Sequence, residues 1–262
     1  MDNIIEVKNL TVQYKGKFFF NKKKTVLSKI SFVVPRGKIV VILGKNGSGK
    51  STLLKSMVNS TENDFDRRGI REGEIIFDGT NVLGGKGTVG KYQDQISYSM
   101  QSDSCEYYER SETIRSILKR RAEDCTAISD VAEKVDKMLE YFNAHSLAKK
   151  KVRSLSGGEL RLLSIMECLI KDDAKVYFID EPYNDLDDDR ARRVSNYLLD
   201  MHDARPDIAI VVVTHCKKIP NCNNEVIAYR IEDGVLEETS YSHVLCLGEL
   251  KDNRYLLDGV TV

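Results

Sequence analysis

The sequence predicts an α/β fold with a mainly parallel core sheet, an antiparallel β layer and an inserted helical segment. Three observations carry that expectation. Residues 39–43, 176–179 and 208–213 are continuous runs rich in Val and Ile, the pattern of strands covered on both faces. Between the second and third runs, DDRARRVSNYLLDMH sets Ala191, Val194, Leu198 and Met201 at helical spacing, which makes a strand, helix, strand unit. Residues 111–170 hold no convincing strand and carry Val131, Val135, Met138, Leu139 and Phe142 on one helical stripe.

The remaining elements follow in order. Residues 4–7 are a first short apolar run, and 25–34 and 231–236 read as antiparallel strands of a small β layer, the latter a hairpin around Asp233-Gly234. Residues 15–24, KGKFFFNKKK, mix aromatics with lysines. This stretch reads either as a solvated hairpin tip or as a contact for phosphate or lipid headgroups. No repeat or Pro-rich linker divides the chain, so one domain spans 1–262. Its core and β layer cover about 1–110 and 171–240, its helical subdomain about 111–170, and a short tail about 241–262.

Composition narrows the function. The 262 residues, 41% hydrophobic, suffice for a real core. Forty Lys and Arg balance forty Asp and Glu, so bulk charge recruits no nucleic acid and none is expected as a partner. Six cysteines without a C-x-x-C pair disfavour a zinc ribbon or a thioredoxin-like motif. The start MDNIIEVKNL lacks the basic and apolar regions of a signal peptide, and no apolar run approaches the roughly 20 residues of a membrane span. A cytoplasmic location is expected.

Chemistry concentrates in two motifs. After the strand KIVVIL comes GKNGSGKST, comprising Gly44, Lys45, Asn46, Gly47, Ser48, Gly49, Lys50, Ser51 and Thr52. It satisfies the phosphate-loop pattern G-x-x-x-x-G-K-[ST] between a strand and a helix. Gly47 and Gly49 let backbone N–H groups wrap phosphate oxygens. Lys50 would reach the β and γ phosphates, and Ser51 would bind Mg²⁺. KVYFIDEP at 175–182 is an apolar strand ending in two carboxylates, at the end of a strand where α/β sheets bind ligands. Asp180 would hold Mg²⁺, and Glu181 would deprotonate the water that attacks the γ phosphate.

LSGGE at residues 155–159 is by itself an ordinary helix cap. In the order phosphate loop, LSGGE, Asp-Glu strand, the chain resembles the ATP-binding cassette (ABC) ATPases over about residues 4–238. The resemblance implies a P-loop NTPase of ABC type, with ATP and Mg²⁺ as cofactors. It also implies a head-to-tail dimer with a second ABC ATPase subunit, alike or different, in which Ser156, Gly157 and Gly158 of one chain close on the ATP held by the phosphate loop of the other. It gives further residues roles: Tyr14 against adenine, Gln101 at Mg²⁺ and the attacking water, Asp187 in the loop that crosses between cassettes, and His215 at the γ phosphate. Tyr14 also reads as a plain strand tyrosine, and His215 as a structural strand-end residue.

Three departures stand out. Glu159 replaces the commoner Gln, Leu162 stands where many members carry arginine, and NDLD replaces Ser-Ala-Leu-Asp. The function implied is the ATP-hydrolysing subunit of a transporter, held at the cytoplasmic face of the membrane by a transmembrane permease on another chain, with residues 102–118 as candidate contacts. The alternatives are a non-transport ABC ATPase acting in assembly or scaffolding, and a nucleotide-binding module without turnover. Glu181 argues against the last.

Overall fold

The computed structural model describes residues 2–14, 23–58, 69–83, 89–100, 108–125, 130–215 and 226–239. Its strands are β1 (Asn3–Tyr14), β2 (Lys24–Pro35), β3 (Ile39–Leu43), β4 (Gly69–Phe77), β5 (Thr80–Asn81), β6 (Ile96–Ser99), β7 (Val176–Asp180), β8 (Ala209–Thr214), β9 (Val226–Glu232) and β10 (Val235–Thr239). The helices are α1 (Lys50–Val58), α2 (Val89–Asp94), α3 (Ile114–Glu123), α4 (Val131–Tyr141), α5 (Gly157–Leu169) and α6 (Asp188–Ala204). The expected lysine and aromatic stretch at 15–22, Gln101 and the tail at 241–262 lie outside the described residues.

Every residue of β3, β7 and β8 is buried, and the side-chain alternation explains why. Val40, Ile42, Val176, Phe178, Val211 and Val213 enter one core with α1 and the antiparallel sheet. Ile39, Val41, Tyr177, Ile179, Ile210 and Val212 enter a second core with α3 to α6. A sheet covered on both faces needs apolar residues at every position, so periodicity of two disappears from its sequence.

The core sheet has the order β10-β9-β3-β8-β7-β6, parallel from β9 to β6. A second sheet, β2-β1-β4-β5, is antiparallel throughout. The fold is thus the mixed α/β architecture of a P-loop NTPase, and one detail differs from expectation. The Asp233-Gly234 hairpin, expected in the small β layer, belongs to the core sheet, because β9 pairs in parallel with β3 on one edge and antiparallel with β10 on the other. Burial of Ala228, Tyr229 and Ile231 draws β9 inward. The turn has φ of 48° at Asp233 and 76° at Gly234, a sign pair suited to a tight I′ hairpin. The hairpin is tied to β2 by Ser28 N–H donating to the Gly234 carbonyl at 2.9 Å.

Between β6 and β7 run α3, α4 and α5. Thr113 caps α3 through a capping box with Ser116, and Asp130 caps α4 by accepting from the Glu133 N–H. Val135, Met138, Leu139 and Phe142 of the expected stripe are buried, while Val131 at the helix start is partly exposed. In α6, Ala191, Val194 and Leu198 are buried and Met201 is partly buried.

Candidate functional site

The chain leaves β3 at Leu43 and turns through residues 44–49 into α1, whose first residue is Lys50. Gly47 and Gly49 have φ of 83° and 108°, a region closed to most side chains. A Cβ on Gly44 would lie 2.5 Å from the Ile231 carbonyl oxygen and 2.6 Å from Ser48 Oγ, so the strand exit also requires glycine. Lys50 is 5% exposed. Its ammonium donates to the carbonyls of Gly44 at 2.7 Å and Lys45 at 3.0 Å, folding back on its own loop.

The two carboxylates stand beside this loop. Asp180 ends β7, and Glu181 follows with φ of 52° while its N–H donates to the Val213 carbonyl on β8 at 2.7 Å. That left-handed residue turns the Glu181 side chain back across the strand ends. Its carboxylate lies 3.6 Å from Lys50 Nζ and accepts from the His215 N–H at 3.1 Å and from Thr214 Oγ1 at 3.0 Å. His215 Nδ1 is 2.8 Å from Glu181 Oε1, a contact that places the ring proton on Nδ1. Burial pushes the Asp180 carboxyl above its ordinary value, Ser51's hydrogen bond opposes the rise and Glu181 adds to it. Asp180 Oδ1 is buried with no hydrogen-bond partner among the described residues. A buried, unpartnered carboxylate oxygen beside a serine hydroxyl is a donor set that fits a hard cation such as Mg²⁺.

A cleft of about 350 Å³ opens here, lined by Val26, Asn46, Gly47, Gly49, Lys50, Ser51, Thr52 and Glu181. Lysine, helix N-terminus and glycine-rich backbone together suit the phosphates of a nucleotide. Tyr14 ends β1 half-buried, on the edge of the core that contains Val26.

The Ser-Gly-Gly segment does not line this cleft. Ser156 is the N-cap of α5, in a capping box where Glu159 Oε2 accepts from the Ser156 N–H at 2.9 Å. Glu159 also pairs with Lys150 at 2.8 Å, which holds its carboxyl below the ordinary value, with the Ser156 N–H adding to that effect. A Cβ on Gly158 would lie 2.3 Å from the Asp185 carbonyl oxygen, whereas one on Gly157 would meet nothing within 4 Å among the described residues. Gly158 therefore serves close packing inside the chain, while Gly157 faces open space. Asp187 caps α6, accepting from the Arg190 N–H at 2.9 Å.

Sequence reasoning missed two residues here. Thr214 is fully buried and touches the Glu181 carboxylate; as the lone hydroxyl ending IAIVVVT it could have been noticed. Arg161, 7% exposed, donates from Nη1 to Ser99 Oγ and the Met100 carbonyl, each at 3.1 Å, and from Nη2 to the Asp180 carbonyl at 2.5 Å. Leu162 is fully buried in the helical core, so its apolar character is a packing requirement.

Comparison with known proteins places these features in a family. The manganese transport system ATP-binding protein MntB of Bacillus subtilis is 27% identical over 215 residues, covering 79% of this chain and 76% of that protein. The energy-dependent translational throttle protein EttA of Haemophilus influenzae is 29% identical over 212 residues, covering 80% of this chain and 32% of that protein. The chain spans about a third to under a half of the length of several other curated relatives. The ATP-binding cassette MJ0796, solved as a dimer in a post-hydrolysis state with ADP and Pi, superposes with a TM-score of 0.75 at 20% identity, over 90% of this chain and 98% of that one. The family model for ABC transporters matches residues 27–184, more than half of the sequence, and the chain belongs to that family.

Proposed function

We propose that the chain binds ATP in the cleft beside Lys50 and hydrolyses it as the motor subunit of a transporter. The observation that carries this reading is Glu181, a buried carboxylate next to the phosphate-loop lysine and oriented by Thr214 and His215. Lys50 exchanges its two loop carbonyls for phosphate oxygens when nucleotide enters, so binding replaces hydrogen bonds the lysine already makes. Released from that ion pair, Glu181 orients a water and takes its proton as the water attacks the γ phosphate. His215, which follows β8, shares the Glu181 carboxylate and turns to the γ phosphate when nucleotide is bound, a role supported by that contact. Mg²⁺, when bound by Ser51 and Asp180 with Gln101 as a further ligand, neutralises charge developing on the phosphate oxygens.

Tyr14 packs against the adenine ring. Ser156, Gly157 and Gly158 act in trans, so ATP joins two cassettes head to tail, and the open space beside Gly157 supports that role. Asp187 lies on the crossing loop. The partners are a second ABC ATPase subunit and a transmembrane permease on another chain, which holds the protein at the cytoplasmic face of the membrane. No helix among the described residues is long and apolar enough to cross a membrane. The likeness to MntB, a transport ATP-binding protein matched over most of its length, supports transport. The likeness to EttA keeps a non-transport role as a second reading. ATP hydrolysis by the purified chain, abolished in Glu181→Gln, tests the first claim. Copurification from detergent with a polytopic protein favours transport; recovery with soluble partners alone favours the second reading.

A further inference from the structure

Arg161 is placed where three parts of the chain meet. Its own helix, α5, begins at the Ser156–Gly158 segment. Its guanidinium ends on the carbonyl of Met100, the residue that precedes Gln101, and on the carbonyl of Asp180, while Ser99 Oγ accepts a third bond. Ser99 Oγ is also 2.8 Å from Ser164 Oγ on α5, and Ser97 Oγ donates to the Cys168 carbonyl at 2.7 Å. A row of buried polar contacts thus joins α5 to β6. An arginine satisfies several acceptors at fixed angles, which apolar packing does not, so the row sets the rotation and height of α5 against the strand ends.

We propose that Arg161 is a positioning residue that couples the two nucleotide sites of the dimer. The Asp180 backbone belongs to the site of its own chain. The head of α5 completes the site on the partner, a statement that rests on the head-to-tail reading above. When phosphates and their cation load Asp180 and Glu181, the shift of that backbone is carried through Arg161 to α5 and so to the other site. Coupling between distant sites needs an element that both sites bias, and α5, tied by Arg161 to the Asp180 backbone, is in contact with the one and heads the other.

The test uses the full chain with Mg-ATP. Arg161→Met removes the three bonds to Ser99, Met100 and Asp180 and leaves an unbranched apolar stem; Arg161→Lys keeps the charge but cannot hold three acceptors in a plane. Nucleotide affinity of the monomer is measured with a fluorescent ATP analogue, and turnover is measured against ATP concentration. The wild type is expected to show a Hill coefficient above one. The proposal expects both variants to bind the analogue within about twofold of wild type, to lose turnover by about fivefold or more, the low end of known coupling factors, and to give a Hill coefficient of one. Turnover and cooperativity unchanged in Arg161→Lys would overturn it. So would parallel loss of analogue binding in both variants, which assigns Arg161 to the fold alone. A wild type that stays monomeric and non-cooperative would instead overturn the head-to-tail reading, and this inference with it.

Discussion

Substituting alanine at Gly158 and at Gly157 separates packing inside the chain from action outside it. At Gly158 the added Cβ would sit 2.3 Å from the Asp185 carbonyl oxygen, about 1 Å inside ordinary contact, and the obstructing atom is backbone. Asp185 itself has φ of 62° and is followed within two residues by the cap of α6, so the loop has little freedom to yield. Overpacking of this kind costs about 1–3 kcal/mol, against a helix-propensity gain of at most about 1 kcal/mol. Gly158→Ala is therefore expected to lower stability by about 0.5–2 kcal/mol. At Gly157 nothing among the described residues lies within 4 Å, and alanine there is expected to be neutral or to stabilise by up to about 1 kcal/mol. Equilibrium urea unfolding without nucleotide reads both values, and ATPase assays are expected to show turnover falling in both variants. An unchanged urea midpoint for Gly158→Ala, or an equal loss of stability at both glycines, would refute the division of roles.

Three further outcomes are expected. Asp180→Asn should stabilise the nucleotide-free protein by about 0.5–2 kcal/mol, the usual gain on relieving a strained functional group, while abolishing Mg²⁺-dependent turnover. Because burial raises the folded pKa of Asp180, the wild type gains stability as pH falls through that pKa, so its deficit against Asp180→Asn should shrink toward acid in thermal melts. Glu159→Gln keeps an acceptor for the Ser156 N–H but loses the Lys150 pair. As the Glu159 pKa is lowered on folding, its contribution, about 0.5 kcal/mol for a partly exposed pair, is present above the ordinary value of 4.5 and lost below it, which unfolding at pH 7 and pH 3 checks. Ser156→Arg should leave binding of ATP by the monomer intact and block dimer formation and turnover, read by calorimetry and light scattering.

Much of the fold was legible because covered strands leave continuous apolar runs, and the phosphate loop because its glycines and lysine have fixed spacing. The placement of β9 was not, since a strand's neighbours are decided by tertiary pairing that no local pattern records. β4 carries little signal of its own: GIREGEIIF buries only Ile75 and Phe77, so most of its pattern is that of an exposed edge. At the site, Lys50, Ser51 and Glu181 could be placed from motif spacing, but the triple contact of Arg161 could not. An arginine next to leucines reads as a solvated helix face, and only the approach of the β6 and β7 strand ends buries it.

The central claim is that two copies of this cassette, or one copy and a related one, close around ATP and that Glu181 breaks that closure by hydrolysis. In Glu181→Gln the amide oxygen keeps an acceptor for the His215 N–H and Thr214, so the fold is retained while the base is lost. Light scattering of this variant with saturating ATP and Mg²⁺ measures the claim directly for the copy-with-copy case, with a related cassette added for the other. Glu181→Gln is expected to form a stable dimer that wild type forms only transiently; a monomer under both conditions, with ATP bound, would contradict closure around ATP.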